Sequence, residues 1–258
     1  MNRIQGKVVV ITGATAGIGE ACARAFAARG AELVLVARRE ARLGVLAREL
    51  EAEHGVGVRT CALDVRDRDG VLAFGERLEA DGVVPDVLVN NAGLGRGLDK
   101  LHEGHFENWD EMIDTNIKGL LNVTRVILPM MVRRDRGHIV NLGSTAGHTV
   151  YPGGNVYNAT KFAVRALNEA MNVDLLGTRI RVSSIDPGMV ETEFSKVRFH
   201  GDEERAAAVY RGFQPLTAED IADAVVYVVN APEHVNVLDM VILPTAQRNV
   251  YLVDRSES

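Results

Sequence analysis

Only two cysteines, Cys22 and Cys61, occur among the 258 residues. Neither belongs to a CxxC pair or a spaced framework, so a disulfide scaffold is excluded and no metal site is indicated. A reducing cytoplasm is the compartment that this cysteine usage favours. Excess positive charge is missing as well: 29 Lys and Arg stand against 35 Asp and Glu, a formal charge of −6. That balance gives no electrostatic reason to expect nucleic acid or an anionic membrane as partner, and leaves a small polar metabolite open. No apolar run is long enough to span a bilayer. Near the start, Val8 to Ile11 runs straight into glycine, which is not the pattern of a secretory leader. Linkers, repeats and low-complexity tracts are lacking too. What is there is a 47% hydrophobic content, enough for a large core, and residues 1–258 are expected to form one catalytic domain.

Short β-branched runs alternate with longer segments of helical period, the pattern of a parallel sheet buried on both faces. Strands are expected near 7–12, 32–37, 57–62, 86–90, 137–142, 179–186 and 237–243. Helices are expected near 17–29, 40–54, 68–81, 109–135, 155–177 and 218–230. In the last of these, Ile221, Ala224, Val225, Val228 and Val229 share a face, with Glu219, Asp220 and Asp223 near the helix start. Right-handed crossovers then give a single-domain α/β fold: a Rossmann-like, doubly wound, seven-stranded parallel sheet with helices on both faces. Ligands in such a fold lie at the carboxyl ends of the strands. The irregular stretch 188–215 mixes glycine, charge and aromatics and is a candidate substrate lid. The tail 248–258 carries Val250, Tyr251, Leu252 and Val253, and either packs against a neighbour or frays.

After the first strand comes TGATAGIG, residues 12–19, a G-x3-G-x-G run that turns tightly into a helix. Gly13, Gly17 and Gly19, with Thr15 and Ile18 between them, let the backbone approach a pyrophosphate held by free N–H groups and the helix dipole. A carboxylate at the end of the second strand would bind a ribose 2′-hydroxyl. Here Arg38 and Arg39 stand at that point, where two guanidiniums suit a 2′-phosphate, so NADP is expected over NAD. Read without a ligand, the same pair are solvated charges at a helix start. Asp64 and Val65 follow the third strand, and Asp64 reads equally as a cofactor contact or as the N-cap of the next helix. Asn90, Asn91, Ala92 and Gly93 follow the fourth strand, and Asn90 and Gly93 suit a turn that touches a ligand.

Ser144 closes the fifth strand, and Tyr157 with Lys161 opens the next long helix four residues apart, on one face. A free tyrosine holds its proton to about pH 10, and a neighbouring ammonium favours the phenolate, which makes a phenol usable in acid/base catalysis. Ser144 is placed to share the substrate oxygen. Singly, each residue reads as packing, solvation or a turn; together, after a cofactor loop, they read as a catalytic group.

The ordered set TGATAGIG, NNAG, Asn116, Ser144, the Tyr157 and Lys161 pair and Pro187-Gly188 with Thr192 resembles the short-chain dehydrogenase/reductase family along nearly the whole chain. The resemblance implies that Tyr157 is the general acid/base, that Ser144 orients the substrate oxygen, and that Lys161 also binds the nicotinamide ribose. It further implies that Asn116, otherwise a mild helix defect, helps hold a proton-relay water, and that Pro187, Gly188, Val190 and Thr192 face the nicotinamide. Relatives are commonly tetramers built through the two long central helices and the C-terminal edge. Within the family, GSTAGHTVYPGGNVYNATKFAVR from Gly143, ETEFSKVRFHGDEE from Glu191 and DMVILPTAQ from Asp239 resemble NADP-dependent 3-hydroxy acid dehydrogenases, including those acting on serine and allo-threonine. A carboxylate substrate needs a cation, and Arg198 in the lid is the candidate. Two alternatives stay open: another carbonyl reductase of the family, acting on 3-oxoacyl thioesters or general ketones, and a catalytically silent NADP-binding sensor.

Overall fold

Side chains alternate across a strand, so a run such as Val8–Thr12 is divided between two cores. Val9 and Ile11 pack into one apolar cluster and Val10 into the other. The computed structural model describes residues 1–256; Glu257 and Ser258, at the end of the expected tail, lie outside the described residues. Seven strands, β1 (Val8–Thr12), β2 (Glu32–Ala37), β3 (Val58–Ala62), β4 (Val87–Asn90), β5 (Gly137–Leu142), β6 (Ile180–Pro187) and β7 (Asp239–Ile242), form one sheet. All pairings are parallel, in the order β3-β2-β1-β4-β5-β6-β7. The helices are α1 (Gly17–Ala27), α2 (Glu40–His54), α3 (Arg68–Ala80), α4 (Phe106–Ile113), α5 (Leu120–Arg133), α6 (Asn155–Asp174), α7 (Phe194–Arg198), α8 (Glu203–Ala208) and α9 (Ala218–Asn230).

One face is covered by α1, α2 and α9 through residues such as Phe26, Leu43 and Val225. The other is covered by α3, α5 and α6 through Phe74, Ile127 and Val164. The chain builds outward from β1 to β3, then returns to place β4 on the other side of β1, and this reversal opens a crevice at the strands' carboxyl ends. Among the described residues no helix is long and apolar enough to cross a membrane.

Two expectations need revision. The helix expected over 109–135 starts at Phe106 and is divided by a π-helical segment, Asp114–Gly119, between α4 and α5. The irregular stretch 188–215 contains α7 and α8, too short to show a helical period in sequence.

Candidate active site

The crevice is a cleft of about 530 Å³. Its cofactor-side wall is built on Thr12, whose hydroxyl donates to the Val89 carbonyl (3.3 Å) and accepts from the Asn91 and Ala92 amides (3.0 Å each). Asn91 completes the clamp, its amide donating to the carbonyls of Thr12 (2.9 Å) and Gly13 (3.2 Å). Gly13 and Gly17 adopt φ of +66° and +51°, a region that disfavours side chains. A Cβ at Gly13 would lie 2.9 Å from Asn91 Nδ2, and one at Gly17 would lie 3.1 Å from Thr192 Cβ. The result is a bare backbone cradle at the start of α1, whose N-cap, Ala16, supplies no capping side chain. These residues fit a dinucleotide: first-turn amides stand free for a pyrophosphate, and Gly13, Thr15, Gly17 and Ile18 line the cleft.

Arg38 and Arg39 line the cleft beside Thr15. Arg39 is held by Thr15, its Nε donating to Oγ1 (3.1 Å) and its Nη2 to the backbone carbonyl (3.0 Å). Arg38 is freer, with its Nη1 4.0 Å from Asp64. Asp64 does not cap a helix: α3 is capped by Asp67, which accepts from the Gly70 amide. Instead Asp64 accepts from the Arg66 backbone and guanidinium. Burial raises its carboxyl, but those hydrogen bonds and the Arg66 charge outweigh it and hold the group below the usual range. Asp64, Val65, Ala92 and Gly93 face the cleft.

Asn90 does not. Its side chain turns into the core, donating to Thr124 and Asn141 at 3.0 Å each, while Asn91 takes the place in the cleft wall. Gly19 is likewise buried behind the loop, since a Cβ there would collide with the Gly13 carbonyl. Asn116 stands just behind the wall. Held by the π segment, it makes a reciprocal pair with the Leu94 backbone (2.8 Å each way) and donates to Thr160 (3.0 Å).

At the chemical end, Ser144, Tyr157 and Lys161 converge on the cleft with Pro187 and Gly188. Ser144 caps a 3-10 turn, its Oγ accepting from the Ala146 amide at 3.1 Å. Lys161 is buried and donates to the Leu142 carbonyl (2.8 Å), with its Nζ 5.9 Å from the centre of the Tyr157 ring. Burial lowers its ammonium to about 8 against the opposing charge of Asp186. The cation closest over the Tyr157 ring is Arg198, its guanidinium carbon 4.7 Å from the ring centre and 4.9 Å from that of Phe194. Burial pushes the Tyr157 phenol up, opposed by the Arg198 charge and then by the Ser144 hydroxyl. Arg198 and Ser144 are thus the groups that oppose burial at the phenol, while the Lys161 ammonium stands 5.9 Å from the ring centre.

Arg198 donates to the Tyr151 hydroxyl (3.0 Å), while its buried Nε has no hydrogen-bond partner among the described residues. Val190 and Thr192 line the same wall, as do Tyr151, Phe194, Tyr210, Gln247 and Val250, which sequence reasoning did not place there. The described part of the tail is tied back to the lid through Arg255, while Tyr251 and Leu252 stay exposed. Gln247 accepts from the Met189 amide (2.9 Å), and Arg255 donates to the Val209 and Arg211 carbonyls.

The family model for short chain dehydrogenases matches residues 7–203. The chain is 48% identical over 241 residues to the NADP-dependent 3-hydroxy acid dehydrogenase YdfG of Salmonella typhi, covering 93% of this chain and 96% of that protein. It is 39% identical to the NADP-dependent 3-hydroxy acid dehydrogenase of Schizosaccharomyces pombe, with 100% of each chain covered. A solved closed form of serine dehydrogenase complexed with NADP+ superimposes with a TM-score of 0.89 at 44% identity, covering 95% of this chain and 98% of that one.

Proposed function

This chain belongs to the short-chain dehydrogenase family, and from that membership we propose that it is an NADP-dependent oxidoreductase exchanging a hydride with the C3 hydroxyl or carbonyl of a short 3-hydroxy acid. The relatives' NADP dependence, the NADP-bound serine dehydrogenase and the Arg38 and Arg39 pair support the cofactor. Bound at the glycine cradle, NADP supplies the hydride acceptor or donor. The chain's own residues handle the proton. In the oxidising direction the Tyr157 phenolate takes the hydroxyl proton of the substrate while Ser144 stays hydrogen-bonded to the same oxygen. Lys161 holds the cofactor ribose, and Asn116, fixed by the π segment, holds the water through which Tyr157 exchanges its proton with solvent.

The observation that carries the acid substrate is Arg198. Among the described residues its guanidinium, lying over the Tyr157 ring, has one protein hydrogen bond and a buried Nε left unpaired, so a carboxylate beside the reacting carbon would meet an under-used cation. The test is turnover with NADP on a series of 3-hydroxy acids, including both serine enantiomers, beside the matching alcohols without carboxylate. Activity confined to bulky ketones would reject the small-acid reading, and tight NADP binding without turnover would favour the sensor. Replacement of Arg198 by Ala should raise KM for the acid about 10-fold to 100-fold. An unchanged KM removes the clamp. The working form we propose is a cytoplasmic homotetramer. Half-exposed or exposed Leu121 and Val132 on α5, Phe162 and Val173 on α6, and Val241 on the edge strand β7 support its contacts.

A further inference from the structure

We infer that Glu193, at the base of the lid, is an internal competitor for the cofactor's 2′-phosphate and sets how strongly the chain prefers NADP over NAD. The inference rests on the reading of Arg38 and Arg39 as the phosphate site. Arg39 has Nε and Nη2 bonded to Thr15, and Glu193 Oε2 takes an N–H of the third nitrogen, Nη1, at 2.9 Å. The other carboxylate oxygen accepts from Arg42 at 3.0 Å. Glu193 follows Thr192, whose side chain packs on Gly17, so the lid base is pressed against the glycine loop and keeps the carboxylate within reach of the arginines. Hydrogen bonds from Arg39, then from Arg42, hold the Glu193 carboxyl below the usual range, against the effect of burial.

A 2′-phosphate carries the same kind of charge to the same donor. Glu193 must then either leave Arg39, breaking an ion pair, or remain beside a second anion and repel it. Both courses weaken NADP binding, and neither touches NAD, which has a hydroxyl at that position. The pair is roughly half exposed at both ends, 42% and 43%, so solvent moderates the effect without cancelling it. Arg38 keeps NADP ahead, because it is engaged only distantly, by Asp64 at 4.0 Å.

The experiment is fluorescence titration of the purified chain with NADPH and with NADH, a readout independent of turnover. For Glu193→Gln, the Kd for NADPH should fall about 3-fold to 10-fold while that for NADH stays within about 2-fold. An unchanged ratio of the two constants, or a ratio moved toward NADH, overturns the inference. So does equal tightening of both cofactors, which would mark a general effect on the lid. Arg38→Asp is titrated alongside. If it leaves the preference for NADPH intact, the phosphate-site reading fails and carries the inference with it. If it abolishes the preference while Glu193→Gln changes nothing, only the competitor is lost.

Discussion

Tyr157 sits where burial opposes its ionisation, and the groups that act against burial come from two parts of the chain, Arg198 in the lid and Ser144 after β5, with the buried Lys161 one turn along α6 standing 5.9 Å from the ring centre. Replacing Tyr157 by Phe removes only the hydroxyl. We expect kcat to fall about 10²-fold to 10⁴-fold with NADPH binding by fluorescence retained; full turnover would dismiss Tyr157 as the proton carrier. Lys161 offers a separate test. Unfolded, its ammonium keeps its proton to about 10.5, whereas in the folded chain burial releases it near 8. Between those values the unfolded chain binds more protons, so the cost of burying the charge, full below pH 8, fades as pH rises. In urea unfolding the wild type should gain ~3 kcal/mol on Lys161→Met across that window, and a pH-independent difference would contradict it. Asp239 gives the opposite sign. Burial, and then the charge of Asp186, raises its carboxyl to about 6, so Asp239→Asn should raise the thermal midpoint above pH 6 and not below pH 4.

Among elements, the π segment Asp114–Gly119 does what a regular helix would not. Its buried Asn116 answers both the amide and the carbonyl of Leu94. Gly119 permits the close approach to the strand ends, because a Cβ there would lie 2.5 Å from Val65 Cγ2. Gly119→Ala should therefore cost about 1–3 kcal/mol in denaturant unfolding and disturb turnover through Asn116; a neutral variant would show that the segment yields. The capping box of α9 makes a contrast, with Thr217 accepting from the Asp220 amide while the Asp220 carboxylate accepts from Thr217. Thr217→Ala should cost about 1 kcal/mol and leave KM alone, since that helix start lies outside the cleft.

On the scale of the whole molecule, the cleft is assembled from β-strand ends, the lid and the returning tail. Gln247 and Val250 line it although they lie beyond the last strand. The apolar residues left on α5, α6 and β7 predict association, and light scattering should give a multiple of the 28.0 kDa chain mass. A monomer at micromolar concentration would leave that surface without an occupant.

Periodicity and motif spacing by themselves determined the seven strands, the helices flanking them and the glycine cradle, because each is written in neighbouring residues and in the alternation of side chains. They also brought Ser144, Tyr157 and Lys161 together on paper, since a strand end and one helical turn are short-range geometry. Tertiary structure decided what depends on which way a side chain turns once distant elements meet. Asn90 points into the core and Asn91 clamps the glycine loop, Asp64 is held by Arg66 rather than capping α3, and Asn116 is a fixed partner of Leu94 rather than a flaw in a helix. The stacking of Arg198 on Tyr157 and the pairing of Glu193 with Arg39 belong to the same class. Sequence showed each charge, but only the docking of the lid on the strand ends decided which other charge it would face.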